Sequence, residues 1–190
     1  MVSYSTSEFK NGLKVLVDGN PCVIIENDFC KPGKGQAFNR IKIRNLNNGL
    51  VREMNCKSGS KLEAADVQEI QAQYLYAADG IWHFMNNDGS YEQLTAKASA
   101  IGDSQMWMQE GDICNIVLYN NEPITVEPPQ MIECVVTETD PGLKGDTVSG
   151  GTKPALLDTG AKVKVPLFVE PGEKIKVNTR TGEYLGRVSK

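Results

Sequence analysis

One histidine, His83, is all the chain has in 190 residues, and none of its five cysteines (Cys22, Cys30, Cys56, Cys114, Cys134) falls in a C-x-x-C spacing. The usual histidine and cysteine sets for zinc are therefore missing, and His83, between Trp82 and Phe84 in an alternating run, reads as a structural imidazole. Cys22, Cys114 and Cys134 lie in apolar strand-like runs, where buried reduced thiols are expected. Also lacking is any apolar run near the 18 or so residues of a membrane span. The opening Met1-Val2-Ser3-Tyr4-Ser5-Thr6 has neither the charged start nor the apolar core of a secretory signal. Acids are plentiful but form no recognisable catalytic pair and read as a solvated face. These absences predict a soluble cytoplasmic protein with no membrane contact, no metal, no cofactor and no catalytic residue.

A further absence is local. From Phe29 to Arg52 there is no acid, yet six cations: Lys31, Lys34, Arg40, Lys42, Arg44 and Arg52. Within this stretch, Lys31-Pro32-Gly33-Lys34-Gly35-Gln36-Ala37-Phe38 sets a lysine between two glycines. Pro32 fixes one φ angle, and Gly33 and Gly35 permit the positive φ that a tight tip needs. The flanks read as strands, and after the tip Phe38, Arg40, Lys42 and Arg44 alternate with Asn39, Ile41 and Ile43. A phosphate-cradling P-loop does not fit, because Gln36 follows Gly35 and a period-2 pattern, not a helix, comes next. An ordinary solvated turn would account for Lys31 alone. The whole hairpin, one lysine at its tip above a basic strand, is suited to reaching into something anionic.

Almost everything else also reads as short strands between turns. Asp18-Gly19, Asn47-Asn48-Gly49, Asp79-Gly80 and Asn120-Asn121 punctuate them. Four or five strands in the first 60 residues suit a small barrel. A short helix from Asp103 through Met108, closed by Gly111, is expected in the middle, with Trp107 and Met108 in a core. Tyr74, Tyr76 and Tyr91 have the chemistry to stack on bases, and cross-strand packing accounts for them equally. Pro128-Pro129 marks a boundary, followed by strands at 131–136, 161–165, 174–178 and 183–188. The segment from Asp140 to Gly160 reads as one long loop; its glycines allow close backbone approach and Lys144 and Lys153 could reach phosphate, or its lysines are simply solvated.

Charge divides the same way. Residues 1–64 hold 10 Lys and Arg against 6 Asp and Glu, residues 65–128 hold 1 (Lys97) against 10, and residues 129–190 hold 9 against 8. Net charges of +4, −9 and +1 predict separate modules. A protein that coats RNA uniformly is disfavoured, since the middle would be repelled by phosphates.

Three stretches carry a resemblance to the bacterial elongation factor P family over the whole chain. They are the Lys31-to-Phe38 octet, Trp82-His83-Phe84-Met85-Asn86-Asn87, and Asp140-Pro141-Gly142-Leu143-Lys144-Gly145-Asp146-Thr147 continuing to Val165-Pro166-Leu167-Phe168-Val169. The family's paralogue lacks the Lys-Pro-Gly-Lys-Gly loop, so the resemblance is to the factor itself. It implies an all-β fold of three consecutive small β-barrels in an L-shaped arrangement. These are an SH3/KOW-like barrel at 1–64 and OB-like barrels at 65–128 and 129–190. It implies a monomer that binds the 70S ribosome between the peptidyl and exit sites and relieves stalling at consecutive prolines by positioning the CCA end of the peptidyl-tRNA. Lys34 would be the working residue, extended by a lysine-modifying enzyme. Lys31, Pro32, Gly33, Gly35, Arg40, Lys42 and Arg44, with Lys144, Gly145, Asp146 and Thr147, would contact tRNA or rRNA. The competing expectation is a general single-stranded RNA-binding protein of tandem OB-like barrels, with an aromatic, basic groove in its middle module.

Overall fold

In the computed structural model, residues 2–141 and 151–188 are described. Among the described residues sixteen strands form three sheets, so the all-β expectation holds. The first sheet contains β1 (Ser3–Ser5), β2 (Lys14–Val17), β3 (Asn20–Cys30), β4 (Phe38–Asn45), β5 (Val51–Lys57) and β6 (Lys61–Ala64). Their order is β1-β6-β2-β3-β4-β5. The second, ordered β11-β10-β7-β8-β9, contains β7 (Val67–Ala78), β8 (Ile81–Asn86), β9 (Gln93–Lys97), β10 (Ile113–Tyr119) and β11 (Glu122–Glu127). The third contains β12 (Met131–Thr139), β13 (Thr152–Leu157), β14 (Lys162–Pro166), β15 (Lys174–Asn178) and β16 (Tyr184–Arg187), ordered β14-β13-β12-β15-β16. A bridge between Lys164 and Glu183 brings its two ends together, closing a barrel.

Tight turns set these registers. Asp18 and Gly19 have φ of +52° and +74°, the left-handed pair that joins two strands through a two-residue loop with matching twist. Val15 and Val17 of β2 then face inward with Cys22 and Ile24 of β3 and Ile41 and Ile43 of β4, and Phe9 and Cys56 complete this core.

The chain divides into two compact units, residues 1–70 with 116–125, and residues 71–115 with 126–190. The first holds the core just described. The second is built around Ile132, Cys134, Val136, Leu157, Val163, Val165, Val169, Ile175 and Val177, with Trp107 and Tyr184 packed against them. Met108 is buried as expected.

The sequence reading misplaced two elements, the helix and the strand hidden in the expected loop. The helix comes earlier: α1 spans Ala98–Ile101, and Gly102 at φ +51° ends it. Asp103 lies in the 3-10 turn Gly102–Met106 that follows, whose N-cap makes no side-chain hydrogen bond. Part of the expected 140–160 loop is strand β13, disguised by Pro154. That proline stands where the β12 ladder has ended, its carbonyl accepting from the Thr139 hydroxyl at 2.8 Å. Tyr74 and Tyr76 do not share a face, because a bulge between them pairs Tyr74 with buried Phe84 and Tyr76 with His83.

Ile41 is fully buried and Arg40 beside it is exposed. Ile41→Ala is expected to destabilise the first unit by about 2–5 kcal/mol through transfer and cavity terms. Arg40→Ala should stay within about 0.5 kcal/mol of the unmodified protein. Urea unfolding of the two variants checks the contrast.

Candidate nucleic-acid interface

Strands β3 and β4 pair from Cys22–Asn45 at the core to Cys30–Phe38 at the far end, leaving residues 31–37 as the connection. Eleven residues of strand run to roughly 36 Å, longer than the core beneath can cover. The outer part is an arm on which Phe29 is 62% exposed. A relay of amides supports it: Asn39, only 5% exposed, donates to Asn27 Oδ1 at 2.8 Å, and Asn27 donates to the Phe9 carbonyl at 2.9 Å. Buried amides are tolerated because they are hydrogen-bonded, and this pair fixes the arm to the barrel.

At the tip, every residue from Lys31 to Gln36 is exposed. Gly35 has φ +124°, a conformation that side-chain-bearing residues avoid, whereas Gly33 does not adopt a positive φ. Only one of the two glycines thus meets a left-handed requirement; the other leaves room beside Lys34, with nothing within 4 Å of where its Cβ would stand.

The expected alternation of β4 is present. Asn39, Ile41 and Ile43 point inward, while Arg40 and Arg44 are exposed and Phe38 and Lys42 half-buried. Electrostatics, however, depend on the neighbouring strands. A bulge at Ile25 shifts the β3 register between Ile24 and Glu26. Without it Glu26 would face Ile41; with it Glu26 turns outward opposite Lys42. The Lys42 ammonium lies 2.8 Å from Glu26 Oε2, and Glu53 of β5 stands opposite it on the other side. The Glu26 hydrogen bond and charge hold the Lys42 pKa above its ordinary value. Arg52 is likewise paired, with Asp18. Lys31, Lys34, Arg40 and Arg44 have no ion pair among the described residues. Four of the six cations are therefore open to an external anion, and sequence reasoning missed the acids that take the other two because Glu26 lies on the neighbouring strand β3 and Asp18 in the turn between β2 and β3.

Of the remaining candidates, Lys144, Gly145, Asp146 and Thr147 lie outside the described residues. Lys153 is corrected: it is 6% exposed and donates to the Asp140 carbonyl at 2.7 Å, so it braces backbone and does not reach outward. Tyr74 meets the Phe84 ring at 5.5 Å, and Tyr76 stacks on His83 at 4.4 Å, giving that imidazole a packing role. No group of three or more metal-ligating side chains occurs among the described residues, and no helix among them is long and apolar enough to cross a membrane.

Comparison with known proteins matches all three sheets to one family. The Elongation factor P (EF-P) KOW-like domain covers residues 5–62, the Elongation factor P (EF-P) OB domain residues 67–126, and the Elongation factor P, C-terminal domain residues 132–187. Among solved structures, the chain is similar to eukaryotic translation initiation factor 5A from Methanococcus jannaschii. That similarity has a TM-score of 0.53 and 21% identity, over 67% of this chain and 93% of that one. It is also similar to a translation initiation factor eIF-5A family protein from Naegleria fowleri, with a TM-score of 0.51 and 15% identity over 66% of this chain and 97% of that one. At such identities these two structures speak for the fold. The domain matches define the class, a translation factor assembled from KOW-like and OB modules. The chain belongs to the elongation factor P family.

All five cysteines are free, and all but Cys30 are buried. Burial pushes the Cys114 and Cys134 thiols up to about 12 and raises those of Cys22 and Cys56. With a pKa about 12, roughly one thiol in ten thousand is thiolate at pH 8. A thiol reagent at pH 8 is therefore expected to label Cys30 alone in the folded protein and all five cysteines after denaturation, as counted by intact mass.

Proposed function

We propose that this translation factor binds the 70S ribosome between the peptidyl and exit sites and promotes peptide-bond formation at consecutive prolines. The observation that carries the reading is Lys34 itself. It is an exposed lysine at the tip of a long paired arm, flanked by glycines, with no ion pair among the described residues. Such a side chain contributes little to folding and is available to order an anionic partner. Proline reacts slowly as donor and acceptor, so the slow step is one of positioning, and orientation alone lowers that barrier. Lys34 would hold the CCA end of the peptidyl-tRNA while the ribosome supplies the chemistry. The protein then acts as a monomer in the cytoplasm and contributes no catalytic group.

A lysine-modifying enzyme would extend Lys34, adding reach and hydrogen-bond donors. Lys31, Arg40 and Arg44 would meet tRNA or rRNA phosphates, with Pro32, Gly33 and Gly35 shaping the tip. The Lys144-to-Thr147 stretch would approach RNA on the small-subunit side. Three modules, at 1–64, 65–128 and 129–190, separate these tasks. The general RNA-binding alternative has less support. Tyr74 is used internally against Phe84, and Lys97 is the lone cation of the middle third.

Synthesis of a Pro-Pro-Pro peptide on purified ribosomes tests the reading, comparing no factor, the protein from its native host, and Lys34→Ala. Rescue by the native protein and its loss in Lys34→Ala are expected, with the melting temperature of the variant unchanged because a solvated tip adds little stability. Failure of native protein whose intact mass confirms a modified Lys34 would overturn the proposal.

A further inference from the structure

Strand β5 runs beside β4 and ends at Lys57, directly opposite Phe38, the first residue after the Lys34 loop. Residues directly opposite share a face, so Lys57 lies on the outward side with Phe38 and Arg40. Arg40 faces Asn55 in this register, which makes Lys57 its diagonal neighbour at about 7–8 Å. Lys57 is exposed and has no carboxylate within ion-pair distance among the described residues.

Its backbone is fixed to the base of the loop. Ser58 N–H donates to the Ala37 carbonyl at 3.0 Å, and Gly59 N–H donates to Thr6 Oγ1 at 2.9 Å, Thr6 itself being buried. Of the acids on this face, Glu26 and Glu53 flank Lys42, and Asp28, nearer the loop, stands opposite Arg40 without closing to an ion pair. Lys31, Lys34, Arg40 and Lys57, all without an ion pair among the described residues, thus stand toward the loop end, while Lys42 is neutralised and the equally unpaired Arg44 lies at the inner end of the ladder.

We infer that Lys57 is a further RNA-positioning residue of the same interface, acting with Arg40 on the phosphate backbone of the strand whose end Lys34 approaches. The inference rests on the functional reading above. Lys34 stands on an exposed connection, whereas Lys57 stands on a paired strand anchored to buried Thr6. Lys57 and Arg40 would fix where along the RNA the exposed tip can work.

The test is the salt dependence of binding to 70S ribosomes carrying a prolyl-peptidyl-tRNA, measured from 50 to 200 mM monovalent salt for the native protein, Lys57→Ala and Lys57→Arg. Removing one lysine–phosphate pairing reduces the slope of log affinity against log salt by about 0.7–0.9. Lys57→Ala is expected to show that reduction, which corresponds to about a threefold narrower change in affinity over this range. Lys57→Arg keeps the charge and should keep the native slope. A native slope in Lys57→Ala, or a reduction in Lys57→Arg equal to that in Lys57→Ala, would overturn the inference while leaving the role of Lys34 standing. Absence of binding by the native protein would instead overturn the functional reading on which it rests.

Discussion

Pairing of β3 with β4 is the constraint on which the candidate interface depends. At its inner end the pair contributes Ile24, Ile41 and Ile43 to the core of the first unit. At its outer end it continues beyond the core as an arm, where apolar burial no longer holds it. There the ladder and the relay from Asn39 through Asn27 to the Phe9 carbonyl take over. A backbone ladder with satisfied buried amides resists local opening in a way that an unpaired loop of the same length could not. The tip can therefore remain exposed while the ladder holds its two ends.

One bulge then decides the electrostatics of the arm. By inserting Ile25, it turns Glu26 to the outside and lets Asn27 face inward toward Ile41 and Asn39. The same local event thus neutralises Lys42 and supplies the acceptor for the buried Asn39. Surface ion pairs add little stability on their own. What the Glu26–Lys42 pair changes is the distribution of free positive charge, which leaves Arg40 and a lysine from a third strand, Lys57, unpaired toward the loop and Arg44 unpaired at the inner end.

Much of the architecture was legible from sequence. The turn residues Asp18-Gly19, Asp79-Gly80 and Asn120-Asn121 require left-handed backbone and all adopt it. Alternation in β4 assigned the inward and outward faces correctly, because burial of one face is a strong constraint of period two. The octet around Lys34 identified the tip, because proline and glycine act through local sterics that need no tertiary context. Less legible were β13, where a proline concealed a strand, and the short helix, whose end is set by a left-handed glycine rather than by an acidic cap.

The sequence by itself determined an all-β chain of small modules, the exposed lysine between its glycines, and which side of β4 meets solvent. These follow from short-range sterics and from the two-residue repeat of a half-buried strand. Only the tertiary structure decided which cations are free. Whether Lys42 meets Glu26, and whether Lys57 stands beside Arg40, depends on the register between strands. A single inserted residue such as Ile25 inverts the facing of every position after it without leaving a mark in the composition of the segment.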